Sequence, residues 1–259
     1  MEEELAELLF ILASIDRLKL LSEIGVKKSR LGELTNKISA TPQETSKHLM
    51  RLRNAQLIEK DSDGFFGLTA LGEIVLTILP SIGFLAQHRD YFLHHNISSL
   101  PPELIRRLGE LQASVYVEKV GAILAHARRV LREAEEYIWL MADHSLEGEE
   151  PLVSSGKLND SQVKWKIILP AGANIDWPLL RKTVGSNNKG KMEIYLLENA
   201  SDITAGIAMN EKIAALSLPD NKGRLDFNGG FTSDNAAFRI WCQDLFSIHR
   251  NEKGRIVQI

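Results

Sequence analysis

The chain has 259 residues, 44% of them apolar, which is enough for one large domain or for two ordinary ones with a core each. Lys and Arg number 31 against 34 Asp and Glu, a formal net charge of -3, so any polyanion partner has to be held by a local patch and not by global charge. The single cysteine, Cys242, excludes an internal disulfide framework and a cysteine-only metal site, and it fits a reducing, cytoplasmic interior.

The N-terminus opens on "MEEELAELLF", acidic where a signal peptide would be basic, and no uninterrupted apolar run approaches the roughly 20 residues of a membrane helix. No membrane partner is expected. Across 5–24, Leu5, Leu8, Leu9, Leu12, Ile15, Leu18, Leu21 and Ile24 recur at three- and four-residue steps, predicting one amphipathic helix ended by Gly25. Ser29 is the expected cap of a second, short helix with Leu31, Leu34 and Ile38 inside.

Thr41-Pro42-Gln43-Glu44 then joins an N-cap hydroxyl, a proline where no amide donor is needed, and a glutamate spaced to reach back to the cap. On the helix it starts, Thr45, Leu49 and Leu52 share one side, while Gln43, Ser46, Lys47, Met50 and Arg51 fall on others. Residues 57–60 and 65–68 read as two short strands joined at Asp61-Ser62-Asp63-Gly64. A further helix starts at Thr69-Ala70-Leu71-Gly72 and is expected to stop at Pro80.

Helix, helix-turn-helix, hairpin and helix is the order of a winged helix-turn-helix domain, whose third helix enters the DNA major groove. That order assigns Thr41, Gln43, Glu44, Ser46, Lys47, Met50, Arg51, Arg53 and Lys60 to a double-stranded DNA surface, with Arg51, Arg53 and Lys60 on phosphates. Taken alone, Lys47, Arg51 and Arg53 read sooner as the solvated face of a helix, and the full order of elements reverses that. Asp61 and Asp63 at the hairpin tip would repel phosphate, and Glu44 has two uses open to it, in the cap or as an acceptor from a cytosine amino group.

"GLTALGEIVL" resembles the turn that starts the helix after the wing in regulators of the arsenical-repressor and multiple-antibiotic-resistance types. "HRDYFLHHNISSLPPELIRRLGELQASVYVEK" resembles the archaeal methanogenesis and filamentation regulators, through Arg89, Tyr91, Phe92, Leu93, His94, Leu100, Pro101, Glu103, Leu104, Arg107, Gly109, Glu110 and Leu111. The likeness extends over the segment 203–250. It implies a winged helix followed by a sensor domain similar in outline to half of a phospholipase-D-like fold.

In the second half, 115–136 has helical periodicity, and 137–141, 163–169 and 191–197 are strand-length apolar runs with long connections, the second of which can hold a helix over 175–184. That pattern predicts a mainly parallel core, joined by an antiparallel hairpin across Asn210-Glu211 and closed by a helix over 234–248 with Ala237, Ile240, Trp241, Leu245 and Ile248 toward the sheet. The expected fold is thus a two-domain α+β or α/β chain: 1–80 the winged helix, 81–112 a helical linker and dimerisation region, and 113–259 an effector-sensing mixed sheet with flanking helices.

Catalysis is not expected. The sequence holds no "H-x-K" triplet of phospholipase-D type, nucleophile elbow, P-loop or dinucleotide fingerprint, and its seven histidines lack metal-ligand spacing. Cys242 reads as a small core residue, and no cofactor is called for. A small-molecule effector would sit beyond the carboxyl ends of the parallel strands, for which Asp143, His144, Trp177, Glu198, Asn210, Lys212 and Phe231 are the candidates. The expected whole is a homodimeric DNA-binding regulator that contacts its twin through 5–24 and 71–93. The alternatives are a winged helix used for protein docking, or an enzyme in the C-terminal half.

Overall fold

The computed structural model describes residues 1–143, 162–173 and 192–257. They form two compact units, Met1–Ile82 and Gly83–Ile259, and each has its own apolar core. The chain is an α+β protein, helical first and sheet-based after.

The first unit is built from α1 (Glu2–Leu12), α2 (Ile15–Val26), α3 (Leu31–Thr35), α4 (Pro42–Asn54), β1 (Ile58–Lys60), β2 (Phe66–Leu68) and the start of α5 (Ala70–Gln87). The single helix expected over 5–24 is two helices. Ser14 adopts an extended backbone and its hydroxyl accepts from the Arg17 N–H, opening α2, while the buried Arg17 guanidinium donates to the Ile11 and Phe10 carbonyls at the end of α1. A cation on those carbonyls satisfies the helix end and its partial negative charge.

Ser29 does not cap α3. Its backbone pairs with Phe66 as a third rung on the β1–β2 hairpin, and the carboxylate of Glu33 accepts from the Arg30 N–H instead. The core of the unit gathers Leu20, Leu21, Ile24, Leu34, Leu49, Leu52, Leu57 and Val75. This arrangement is a winged helix-turn-helix.

α5 does not stop at Pro80 but continues to Gln87. Its 18 residues have a mean hydropathy of 1.6, long and apolar enough by length and composition to cross a membrane. The sequence reading missed that span because it cut the helix at the proline. One side of α5 nonetheless lies in a protein core, through Val75, Leu76 and Leu79.

The start of α5 explains the Leu-Thr-x-x-Gly pattern. Thr69 donates to the Gln56 carbonyl at 2.5 Å and accepts from the Gly72 N–H at 3.1 Å, and the Thr69 N–H bonds the Leu57 carbonyl. A Cβ at position 72 would stand 2.0 Å from that Leu57 oxygen, so only glycine lets the helix approach.

The second unit contains α6 (Arg89–His94), α7 (Pro102–Arg106), β3 (Val115–Glu118), α8 (Val120–Glu133), β4 (Tyr137–Met141), β5 (Lys164–Pro170), β6 (Met192–Leu197), β7 (Gly206–Met209), β8 (Ala214–Ser217), β9 (Gly229–Ser233), α9 (Ala236–Lys253) and β10 (Arg255–Val257). Its sheet runs β10-β6-β5-β4-β7-β8-β9-β3. β4, β5 and β6 are parallel, as expected from the spacing, and the remaining pairings are antiparallel. The connection at 175–184 lies outside the described residues.

Two helix expectations need correction here. The stretch 115–136 is a strand and then a helix, because Val115, Tyr116 and Val117 favour a strand and Lys119 turns the chain at φ 80. In α9 the buried stripe is Phe238, Trp241, Cys242, Leu245 and Phe246, while Ile240 is exposed.

Residues 83–112, expected as a linker, place Phe84, Tyr91, Leu100, Leu104, Leu108 and Leu111 in the core of this unit. The Trp241 indole donates to the Leu104 carbonyl at 3.0 Å. Arg107 grips both carboxylate oxygens of Glu110 at 2.7 and 2.8 Å and also Asp244 at 2.7 Å. The quoted "LPPELIRRLGEL" is therefore a clasp on α9.

Candidate nucleic-acid interface and effector cavity

α4 is held at both ends. The Thr41 hydroxyl accepts from the Glu44 N–H, and one oxygen of Glu44 accepts from the Thr41 N–H at 2.9 Å and from its hydroxyl at 2.8 Å. Those two bonds hold the Glu44 carboxyl below its ordinary pKa, the backbone one contributing most. Glu44 is thus engaged in the cap. At the other end Leu57 N–H reaches the Leu52 carbonyl and Gln56 N–H the Arg53 carbonyl, with Gln56 in the left-handed region at φ 58.

With both ends fixed, Thr45, Leu49 and Leu52 are buried. Thr41, Gln43, Glu44, Ser46, Lys47, Met50, Arg51 and Arg53 are all exposed, Met50 at 55%. Gln43, Ser46, Lys47 and Met50 follow one another at three- and four-residue steps, so they form one stripe. Arg51 and Arg53 occupy the last turn, where a cation also complements the helix dipole.

Lys60 is exposed on β1, with its ammonium 5.5 Å from the Phe66 ring. Two neighbours were missed in the sequence. Arg30 lies 4.4 Å over the Phe65 ring, and the stem of Lys28 runs against Gly67, so both flank the hairpin. Their signal was Ser29 between them, whose pairing with Phe66 carries them there. Asp61, by contrast, spends its carboxylate on the Asp63 and Phe65 N–H groups of the turn.

The seven effector candidates are not brought together. Asp143 follows β4 and accepts from the Leu225 N–H at 3.0 Å, and Glu198 follows β6 and binds Arg255 at 2.8 Å. Asn210 and Lys212 lie at the opposite end of the sheet, because β7 runs against β4 with Met209 beside Trp139. The buried Asn210 amide there donates to the Val130 carbonyl and accepts from the Lys212 and Ile213 N–H groups, and Lys212 pairs with Glu135. Phe231 is core, against Phe84, His88, Tyr91 and Tyr116. His144 and Trp177 lie outside the described residues.

Among the described residues, one cavity on the side of the expected crevice has other walls. About 310 Å³ in volume, it is lined by Ser99, Pro101, Pro102, Glu103, Thr204 and His249, with Leu100 and Ile248 as apolar wall. Thr204 precedes β7, and since Ile207 pairs with Met141, it stands beyond the carboxyl end of β4. Thr204 and His249 are 4% and 3% exposed, with Oγ1 and Nε2 3.0 Å apart. The His249 Nδ1 lies 2.8 Å from the Leu245 carbonyl. A second cavity, about 70 Å³, is apolar and lies between α8 and the sheet.

Cys242 is fully buried, and burial pushes its thiol well above the ordinary range. Of the adjacent pair, His94 is exposed and its Nδ1 lies 2.9 Å from the Asp90 carbonyl, whereas His95 is buried and stacked on Tyr91 at 3.6 Å. They share nothing.

No protein-family model and no curated protein matches the chain. Among solved structures it is similar to TrmBL2, an archaeal chromatin protein described as showing a novel mode of DNA binding, at 13% identity over 93% of each chain with a TM-score of 0.40. It is also similar to Nuc from Salmonella typhimurium, a phospholipase D family member, at 12% identity over 56% of this chain and 99% of that one with a TM-score of 0.36. NucT from Helicobacter pylori matches at 10% identity over 56% and 98%, with a TM-score of 0.40. Likeness at this level assigns neither a family nor an activity.

Proposed function

We propose that the protein is a DNA-binding transcriptional regulator that acts in the cytoplasm as a homodimer and whose second unit senses a small-molecule effector. The observation that carries this reading is the exposed stripe of α4, fixed at both ends and flanked by Lys28, Arg30 and Lys60 at the wing. Every Lys and Arg of the first unit falls between Arg17 and Lys60, a stretch that also holds Glu23, Glu33, Glu44 and Glu59. On α4 itself Lys47, Arg51 and Arg53 stand against Glu44 alone, in a chain of negative total.

Gln43, Ser46, Lys47 and Met50 are assigned to base edges and Arg51, Arg53 and Lys60 to phosphates. Thr41 and Glu44 support the stripe through the cap and do not touch bases. Dimerisation is supported by α5, where Leu71, Ile74, Ile78 and Ile82 are exposed at three- and four-residue steps, Ile74 at 58%. An apolar stripe at that spacing, opposite a side already in the core, suits a second copy of the same helix. Two copies would present two reading helices to successive half-sites.

The test is retardation of duplex DNA over a range of salt. Lys47→Ala and Arg51→Ala are each expected to lower the slope of log K against log salt by about one. Slopes unchanged in both variants would remove α4 from the DNA. A protein-docking role for the winged helix is favoured by the exposed acids at the wing tip and the net charge of -3, and no retardation of duplex at any salt would select it.

A further inference from the structure

We infer that the cavity between α8 and the sheet is a site for a small uncharged alkanol, with its hydroxyl on Ser217 and its alkyl chain in the apolar space beneath α8. This names a chemical class for the effector reading above and rests on that reading for its regulatory meaning alone.

The space comes from small residues placed side by side on neighbouring strands. Leu140, Ala208 and Ala215 stand in one cross-strand row. In the next, Gly206 pairs with Ser217, and Ala142 follows Met141, the partner of Ile207. So little side chain in adjacent rows leaves a gap of about 70 Å³ under Ile123, Leu124, Ala127 and Leu131 of α8. The Phe227 ring forms a further wall, 3.1 Å from where a Cβ at position 206 would stand. Leu124, Ala127 and Phe227 are only half-buried, which gives the gap a side toward solvent.

Ser217 supplies the independent sign of a ligand. It is 3% exposed and carries the one polar side chain that lines the cavity. A Cβ at position 230 would stand 2.8 Å from its Oγ and 3.0 Å from Ile123 Cδ1, so the hydroxyl lies on the α8 side of the sheet. Among the described residues that hydroxyl forms no hydrogen bond. A buried polar group left unpaired is costly, and a ligand that brings one partner removes the cost.

The walls select the occupant. No lining side chain is charged, so an ion would lose its water without gaining a counter-charge. The backbone groups of β4, β7 and β8 are engaged, because each strand is paired on both sides. A lone water needs about two to four polar partners and would meet a single polar side chain. The gap is also about half the size of an apolar cavity of roughly 150 Å³ that accepts benzene, which favours a linear chain of a few carbons over a ring.

The experiment follows the methyl resonances of the full chain, without DNA, as 1-butanol, sodium butyrate or n-butylammonium chloride is added. Saturable shifts of the Ala127, Ala208 and Ala215 methyls are expected with butanol and with neither ion. Ser217→Ala should weaken butanol binding about three- to tenfold, with a urea midpoint unchanged or higher, since the hydroxyl it removes has no partner to lose. Ala127→Leu, which fills the gap from α8, should abolish the shifts.

Absence of saturable shifts at those methyls at tens of millimolar butanol, equal binding of either ion, wild-type affinity in Ser217→Ala, or butanol binding by a folded Ala127→Leu would overturn the assignment. If Ala127→Leu fails to fold, Ser217→Ala and the two salts decide. None of these measurements involves α4, so failure here leaves the DNA reading standing, and an unchanged salt slope leaves this one standing.

Discussion

The two units use their polar residues in opposite ways. In the first, the stripe Gln43, Ser46, Lys47 and Met50 faces water and only the helix beneath it is fixed, by bonds at Thr41, Glu44 and Gln56. In the second, Thr204, Asn210 and His249 are buried and each spends hydrogen bonds inside the protein. Exposed side chains on a fixed backbone are open to an outside partner, whereas buried polar groups are oriented by the protein itself. The aromatic residues divide along the same line, since every Trp and Tyr of the chain lies beyond residue 82.

That division lets each unit be perturbed and watched separately. The largest effect is expected for Phe231→Ala, which empties the centre of the aromatic cluster and should cost the second unit about 3–5 kcal/mol. Its tryptophan fluorescence transition in urea should move to lower denaturant. Next, Gly72→Ala drives a methyl into the Leu57 carbonyl and should cost the first unit about 1–3 kcal/mol, visible in the helical circular dichroism and not in tryptophan emission. If both signals move together for either variant, the units are not independent.

Smaller effects sharpen the contrast. Thr41→Ala should cost about 1 kcal/mol through the lost cap. Because the folded pKa of Glu44 is lowered, its contribution is present above the ordinary carboxylate range and lost as pH falls through the lowered value. Glu44→Gln should accordingly flatten that part of the acid limb of a melting-temperature profile. Last, Cys242 should not react with a thiol reagent until the second unit unfolds, since it is fully buried and its thiolate is disfavoured.

The sequence showed most clearly what local chemistry decides. The cap Thr41-Pro42-Gln43-Glu44 and the wing turn with Gly64 at φ 86 are each set by neighbours in the chain. What it hid depends on distant partners. Arg17 ends α1 through carbonyls six and seven residues back, and Pro80 sits in a helix that packing sustains beyond it. His249 and Thr204 meet across 45 residues. Asn210 and Phe231 were chosen by residue type, and type alone does not reveal which end of a sheet or which interior a side chain occupies.

The close approach of Gly72 to the Leu57 carbonyl, with Thr69 bonded to Gln56, fastens the start of α5 to the exit of α4. The two helices are thereby held in a fixed relation at that joint. In the proposed pair joined along α5, the angle at which the twin helices cross would therefore set the spacing of the two α4 stripes.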